Sequence, residues 1–307
     1  MAPRSIKPAL GGISGVLVTP FDAENRVDPA LLSRIAGRVA EAGVHALVAG
    51  GNTGEFYTLD GDEIHAVHDA AIAGNAGRSV LIAGVGRALK EAIVMGRRAV
   101  EAGADAIMVH QPLDPFAAPQ AQAAYFMAVA EAMPVPVLAY IRSDALGLTD
   151  IMAVANHPNV AGTKFATSNL MRLAECIRAS GEDTAQWICG LAEGWAPAFY
   201  AQGARGFTSG LVNVAPERSL AIHAALEAGR YGEAQRLVAQ IAPFETMRTK
   251  FNNGANVTVV KSALRLMGYP VGPVRAPGLP ALSDEDMREL ATILEGWGIP
   301  AKTSAAA

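Results

Sequence analysis

Lys164 is the residue whose type and surroundings point most directly to chemistry. It stands in Val160-Ala161-Gly162-Thr163-Lys164-Phe165, a short apolar run. The chain has only six lysines among its 25 basic residues, so one inside such a run needs a reason. An unpaired ammonium is costly in an apolar interior, and desolvation lowers its pKa. A lysine tuned this way attacks a ketone and forms a Schiff base. The same placement also suits a lysine paired with a buried carboxylate, and position alone leaves both readings open.

Two other segments invite comparison with it. Gly50-Gly51-Asn52-Thr53-Gly54-Glu55 is rich in glycine where an apolar run ends. Exposed N–H groups of such a turn can form an anion nest, to which Thr53 adds a hydroxyl, and a carboxylate is a natural guest. An ordinary turn, with Glu55 opening the next helix, is the plainer alternative. Tyr140 ends the run Val135–Tyr140 and can relay a proton or simply cap the core. Arg142 follows it, and its guanidinium fork suits a distal carboxylate or a surface ion pair. His65 and His68 lie three apart but show neither a HExxH pattern nor a third ligand, so they read as a solvated helix face. Lys250 and Lys261 read as surface or interface residues on helices. No metal site is expected.

The elements that must position these residues follow one repeating pattern. A helix with apolar spacing ends at Gly, and a short apolar strand follows. Glu41-Ala42-Gly43, Glu101-Ala102-Gly103 and Ala201-Gln202-Gly203 are three instances. Strands that are apolar throughout are buried on both faces, as in parallel sheets. The expected strands are Ile13–Thr19, His45–Ala49, Val80–Val85, Ala106–Val109, Val135–Tyr140, Val160–Lys164, Ala185–Cys189 and Gly206–Ser209. Helices such as Pro29–Ala42, Ala88–Ala102 and Pro119–Met133 lie between them. Eight alternations fit an α/β fold, a (β/α)8 TIM barrel over residues 1–214. Residues 215–307 read as a C-terminal helical extension: Pro216–Ala228, Tyr231–Arg248, Val257–Met267 and Asp284–Leu294. An open doubly wound sheet would want a GxGxxG turn after the first strand, and Gly11-Gly12-Ile13-Ser14-Gly15 does not supply one. In a barrel, active-site groups come from the C-terminal strand ends. That brings Thr53, Tyr140, Lys164, Thr208 and Ser209 to one mouth.

Composition narrows the function classes. Over 307 residues the net charge is −4, with 51% apolar and 18% charged residues. That is too apolar for disorder and lacks the basic excess of a nucleic-acid binder. No apolar run approaches a membrane span, and Met1–Gly11 has no apolar leader. Cys176 and Cys189 match no metal or redox spacing. A cytoplasmic protein with free thiols is expected, with a loose tail at 301–307.

Gly50–Glu55, Tyr140 and Gly162-Thr163-Lys164 together resemble, in order and spacing, the dihydrodipicolinate synthase / N-acetylneuraminate lyase superfamily. The likeness runs from about Ile13 to Leu294. It implies a homotetramer built as a dimer of dimers, a lysine Schiff base with a 2-keto acid, and no cofactor. Lys164 would be the Schiff-base residue and Tyr140 the proton relay, with Thr53 sharing the shuttling of protons. Thr53, with the backbone of Asn52–Gly54, would hold the keto-acid carboxylate, and Gly190 and Thr208 would line the same pocket. The tyrosines that dihydrodipicolinate synthases carry after strand four are absent from His110-Gln111-Pro112-Leu113-Asp114-Pro115, and Ala145 stands where they carry an arginine. The chain is more similar to the 5-dehydro-4-deoxyglucarate dehydratase branch. It shares Phe21-Asp22-Ala23-Glu24, Gly54-Glu55-Phe56 and Gly272-Pro273-Val274-Arg275-Ala276-Pro277 with that branch, whereas Ile141 and Phe165 depart from it. The resemblance thus implies dehydration, with decarboxylation, of a deoxy-keto sugar acid. A pyruvate-dependent aldolase, a condensing synthase and a non-catalytic keto-acid-binding barrel are the competing readings.

Overall fold

A computed structural model describes residues 6–181 and 184–300. The expected tail at 301–307 and the first five residues of the N-terminal stretch lie outside it. The strands are β1 (Ile13–Val16), β2 (Ala46–Ala49), β3 (Val80–Val85), β4 (Ala106–His110), β5 (Val137–Ile141), β6 (Val160–Phe165), β7 (Gln186–Cys189) and β8 (Phe207–Ser209). They are paired in sequence order, and β1 closes on β8 in parallel, Ser14 opposite Thr208. The result is the expected TIM barrel. Around it run α1 (Lys7–Leu10), α2 (Pro29–Glu41), α3 (Gly61–Asn75), α4 (Leu89–Ala102), α5 (Pro119–Ala132), α6 (Leu148–Ala155), α7 (Leu170–Ala179) and α8 (Ala196–Gln202). The barrel is followed by α9 (Pro216–Glu227), α10 (Tyr231–Thr249), α11 (Asn256–Leu266) and α12 (Asp284–Gly296).

Local chemistry sets these boundaries. The Asp28 carboxylate accepts the Leu31 N–H at 2.9 Å, and Pro29 supplies a pre-set first turn for α2. Gly103 and Gly203 stop α4 and α8 at φ 111° and 105°, a conformation that favours glycine. β1 ends at Val16, short of the expected Thr19. Beyond it the Leu17 N–H still reaches the Val48 carbonyl, but the Val18 N–H turns to Asn213 Oδ1 and Pro20 has no N–H to continue the ladder, while the Thr19 hydroxyl donates to the Gly54 carbonyl. β5 starts two residues later than expected because Pro134 and Pro136, which have no N–H, flank Val135.

Strand residues alternate between two cores. Outward side chains such as Leu47, Val109 and Phe165 pack under the helices. Inward ones, among them Val48, Ile82, Met108, Leu138, Tyr140 and Ile188, fill the barrel. Sequence reading did not foresee α1, which closes the floor of the barrel. Its Leu10 is fully buried in the inner core. Gly162 makes the room: a Cβ there would come within 2.9 Å of Leu10 Cδ1 and 3.2 Å of Ile188 Cδ1. Lys164 shares the inward face of β6 two residues above, because successive strand residues point to opposite faces. Leu10 therefore seals the core beneath the lysine. Leu10→Ala should cost about 2–5 kcal/mol of unfolding free energy, read as a lower denaturation midpoint. An unchanged midpoint would mean that α1 does not stopper the barrel.

Candidate active site

At the C-terminal ends of the strands lies a cavity of about 790 Å³. Lys164, Tyr140, Asn52, Thr53, Gly190 and Thr208 all line it, as does Arg142 at its rim. Lys164 and Tyr140 are adjacent in the β5–β6 register. The ammonium sits 4.0 Å from the Tyr140 ring centroid, and Lys164 is only 4% exposed. Among the described residues no carboxylate lies within ion-pair distance of it, so the paired-lysine alternative does not hold. Burial pushes its pKa down to about 8, and the Arg142 charge adds to that effect. Burial pushes the Tyr140 phenol up to about 12, so it keeps its proton at neutral pH. Its oxygen accepts from Asn52 Nδ2 at 3.0 Å.

The glycine-rich turn is built differently from a simple nest. Gly54 N–H is spent on the Gly51 carbonyl and Glu55 N–H on that of Asn52. Gly54 does not line the cavity, so it is not a ligand-binding amide. The Thr53 N–H, by contrast, has no hydrogen-bond partner among the described residues. Glu55 joins two short 3-10 turns, Asn52–Gly54 and Phe56–Thr58, and so precedes a helical turn but not the α-helix, which begins at Gly61. It lies at φ 58°, in the left-handed region, with its buried carboxylate ion-paired to Lys261. Its other oxygen accepts the Arg275 N–H at 2.8 Å. Lys261 is therefore not a surface residue. It is fully buried, donates to the Pro273 carbonyl at 2.9 Å and lies 4.1 Å from the Phe21 ring centroid. The turn that carries Thr53 is thus fastened to α11.

Other expectations also change. Ser209 is fully buried and faces away from the cavity, because its hydroxyl donates to Glu193 at 2.5 Å and accepts the Val212 N–H at 3.1 Å. Gly190 stays in the wall, but its N–H is spent on the Phe165 carbonyl. A Cβ at Gly190 would come within 2.5 Å of Ala166 Cβ, so the close approach of β6 and β7 requires glycine there. His68 is buried, not solvated, and its Nε2–H donates to the Gly84 carbonyl at 3.1 Å. His65 is half-buried.

Sequence reasoning missed three sets of groups. His110 stacks on Phe56 at 4.2 Å, meets Tyr140 edge-on at 5.5 Å and donates to the Gly50 carbonyl at 2.9 Å. Burial holds its pKa down at about 3, so it is neutral. Gln111 accepts the Arg142 N–H at 2.8 Å and donates to Ser143 at 2.9 Å, which fixes the loop carrying Arg142. Glu245, Arg248 and Asn256 enter the wall from the C-terminal helices. The only sequence signal for these last three was polarity on a helix. Among the described residues, no three His, Cys, Asp or Glu side chains gather as a metal site, and no helix is long and apolar enough to cross a membrane.

A TIM barrel with a desolvated lysine at a strand end beside a tyrosine is the arrangement of a class I lyase. The profile of the Dihydrodipicolinate synthetase family matches residues 9–296, and the chain belongs to that family. It is 33% identical to a "Probable 5-dehydro-4-deoxyglucarate dehydratase" of Chelativorans sp. (strain BNC1), covering 96% of this chain and 98% of that one. It is 31% identical to a "4-hydroxy-tetrahydrodipicolinate synthase" of Exiguobacterium sibiricum, covering 87% and 91%. The crystal structure of dihydrodipicolinate synthase from Bacillus clausii superposes with a TM-score of 0.92 at 35% identity, covering 95% and 99%.

The two buried lysines give opposite stability expectations. Below pH 8 the folded state bears the cost of the Lys164 ammonium, and that cost fades between about 8 and the ordinary lysine pKa as the folded amine loses its proton first. Lys164→Met should therefore raise stability at pH 7, on the order of 2 kcal/mol, with a gain that shrinks above pH 8. A melting series from pH 7 to 10 reads this, and a loss of stability at pH 7 would refute it. Lys261→Met leaves Glu55 buried and unpaired and should cost about 3–5 kcal/mol, most of which the double change Glu55→Met/Lys261→Met should restore. A double variant no more stable than the single one would refute that account.

Proposed function

We propose that this lyase forms a Schiff base through Lys164 with an acyclic 2-keto acid, and that it dehydrates and decarboxylates a deoxy-keto sugar acid such as 5-dehydro-4-deoxyglucarate. The observation that carries this is the buried Lys164 amine, uncompensated by any described carboxylate and set against Tyr140 in the cavity wall. The neutral amine attacks the C2 ketone, and water leaves to give a protonated imine. The imine withdraws electrons, so a C3 proton is lost to give an enamine. The enamine electrons then expel the C4 hydroxyl as water, leaving a C3=C4 double bond conjugated with the imine. The bond from C5 to the distal carboxylate then breaks, carbon dioxide leaves, and the electrons pass through that double bond into the imine; reprotonation and hydrolysis release the dioxo acid and free Lys164. Tyr140, a phenol that keeps its proton, passes protons between the carbinol oxygen and the departing water. Thr53, with its unpartnered N–H, binds the carboxylate next to the ketone. Arg142 binds the distal carboxylate, held in place through Gln111.

The dehydratase reading is supported by the relatives of that name and by the absence, in the loop after β4, of the tyrosine that condensing synthases carry. The reading includes a homotetramer in a reducing cytoplasm, where the two buried free thiols, Cys176 and Cys189, would persist.

Borohydride with a 2-keto acid should trap one adduct per chain, located at Lys164 by mass spectrometry, and Lys164→Ala should abolish it. An adduct that survives this substitution would refute the imine assignment. Imine formation should rise with pH through about 8 as Lys164 loses its proton. Offered 5-dehydro-4-deoxyglucarate, N-acetylneuraminate, and pyruvate with aldehydes, the protein should release carbon dioxide only from the first. Pyruvate as a product would select an aldolase instead, and adduct without turnover would select a binding barrel.

A further inference from the structure

The wall contributed by the C-terminal helices holds polar groups for which the reaction above has no use. Arg248 lies in the last turn of α10 with its side chain only 5% exposed. Its Nη1 donates to Glu245 Oε1 at 2.6 Å and its Nη2 to Asn256 Oδ1 at 2.9 Å. Its Nε–H is buried with no partner among the described residues. All three residues line the cavity. The guanidinium reaches the end of β8: a Cβ on Gly210 would come within 2.6 Å of Nη2, and 3.5 Å of Thr53 Cγ2. The array therefore adjoins the group assigned to the keto-acid carboxylate.

Its chemistry differs from that of Arg142. Arg142 makes no ion pair among the described residues, so its charge is available to an anion. The Arg248 charge is already balanced by Glu245, and a further carboxylate would meet the Glu245 oxygens. A hydroxyl both donates and accepts, so it suits an array that offers carboxylate and amide oxygens beside guanidinium and amide N–H groups. Buried polar groups of this kind discriminate sharply, because a ligand without the hydroxyl leaves them desolvated and unpaired.

We propose that Glu245, Arg248 and Asn256 form a subsite for the hydroxyl groups of an acyclic polyhydroxy acid. The chain would thereby select sugar acids over unsubstituted keto acids of the same length. This rests on the reading that the cavity holds a keto sugar acid, and it deepens that reading by assigning the middle of the substrate.

The test uses the full chain carrying Lys164→Ala, so that imine chemistry plays no part. Glucarate and adipate are both six-carbon dicarboxylates without a ketone, and only glucarate bears hydroxyls. By titration calorimetry glucarate should bind about tenfold tighter or more. Adding Asn256→Ala or Asn256→Leu, which leave the Glu245–Arg248 pair intact, should reduce that preference to about threefold or less while leaving adipate affinity within about twofold, as expected for losing hydrogen bonds to the hydroxyls alone. Melting curves establish that each variant is folded. Equal affinities in the parent, no binding of either probe, or a preference kept by both variants would overturn the proposal. Failure of borohydride trapping in the unsubstituted chain would sink the imine and leave the glucarate preference standing.

Discussion

An ammonium group inside an apolar barrel, without a carboxylate to balance it, is the constraint on which the site depends. The surroundings of Lys164 withhold compensation: Leu10 and Ile188 below, the Tyr140 ring beside it, and a nearby Arg142 that repels it. Water or a carboxylate at this point would return the amine to its ordinary pKa and leave it protonated. The floor helix, the glycine at 162 and the apolar inner core thus serve chemistry as well as packing. Stability is given up at one residue, and its nitrogen is left closer to the neutral amine than an ordinary lysine.

Elsewhere the molecule makes the opposite choice. Lys261 is buried as deeply, yet it is matched by Glu55, the Pro273 carbonyl and the Phe21 ring. That pair joins the turn after β2 to α11, so the helices beyond the barrel help hold Thr53 in place. Arg275 adds a second fastening, donating its N–H to Glu55 and forming an ion pair with Glu63 at 2.6 Å. A barrel without its C-terminal helices would lack one wall of the cavity and the support of the turn that carries Thr53. Two lysines of one chemical type, both with pKa values lowered to about 8, therefore differ in consequence because only one has a counter-ion.

Much of this was legible in the sequence because the barrel repeats. Each strand is a short apolar run and many helices stop at glycine, so period and punctuation reveal the fold without any long-range information. Lys164, Tyr140 and Thr53 were legible for the same reason, since strand ends in a barrel converge. What stayed hidden depends on contacts distant in sequence. Lys261 reads as a surface residue until Glu55, about two hundred positions earlier, is placed against it. Ser209 ends a strand just as Thr208 does, but strand alternation turns it outward to Glu193. Arg248 lies on a helix whose polar residues could equally face water. The four residues of α1 were too few for periodicity to register.

The closed floor has a kinetic corollary. Leu10 fills the inner core beneath Lys164, and the cavity lies at the opposite end of the barrel, at the strand C-termini. Substrate and product must both exchange through that end. Reactant and product therefore compete for one vestibule, and departure of the product must precede the next arrival.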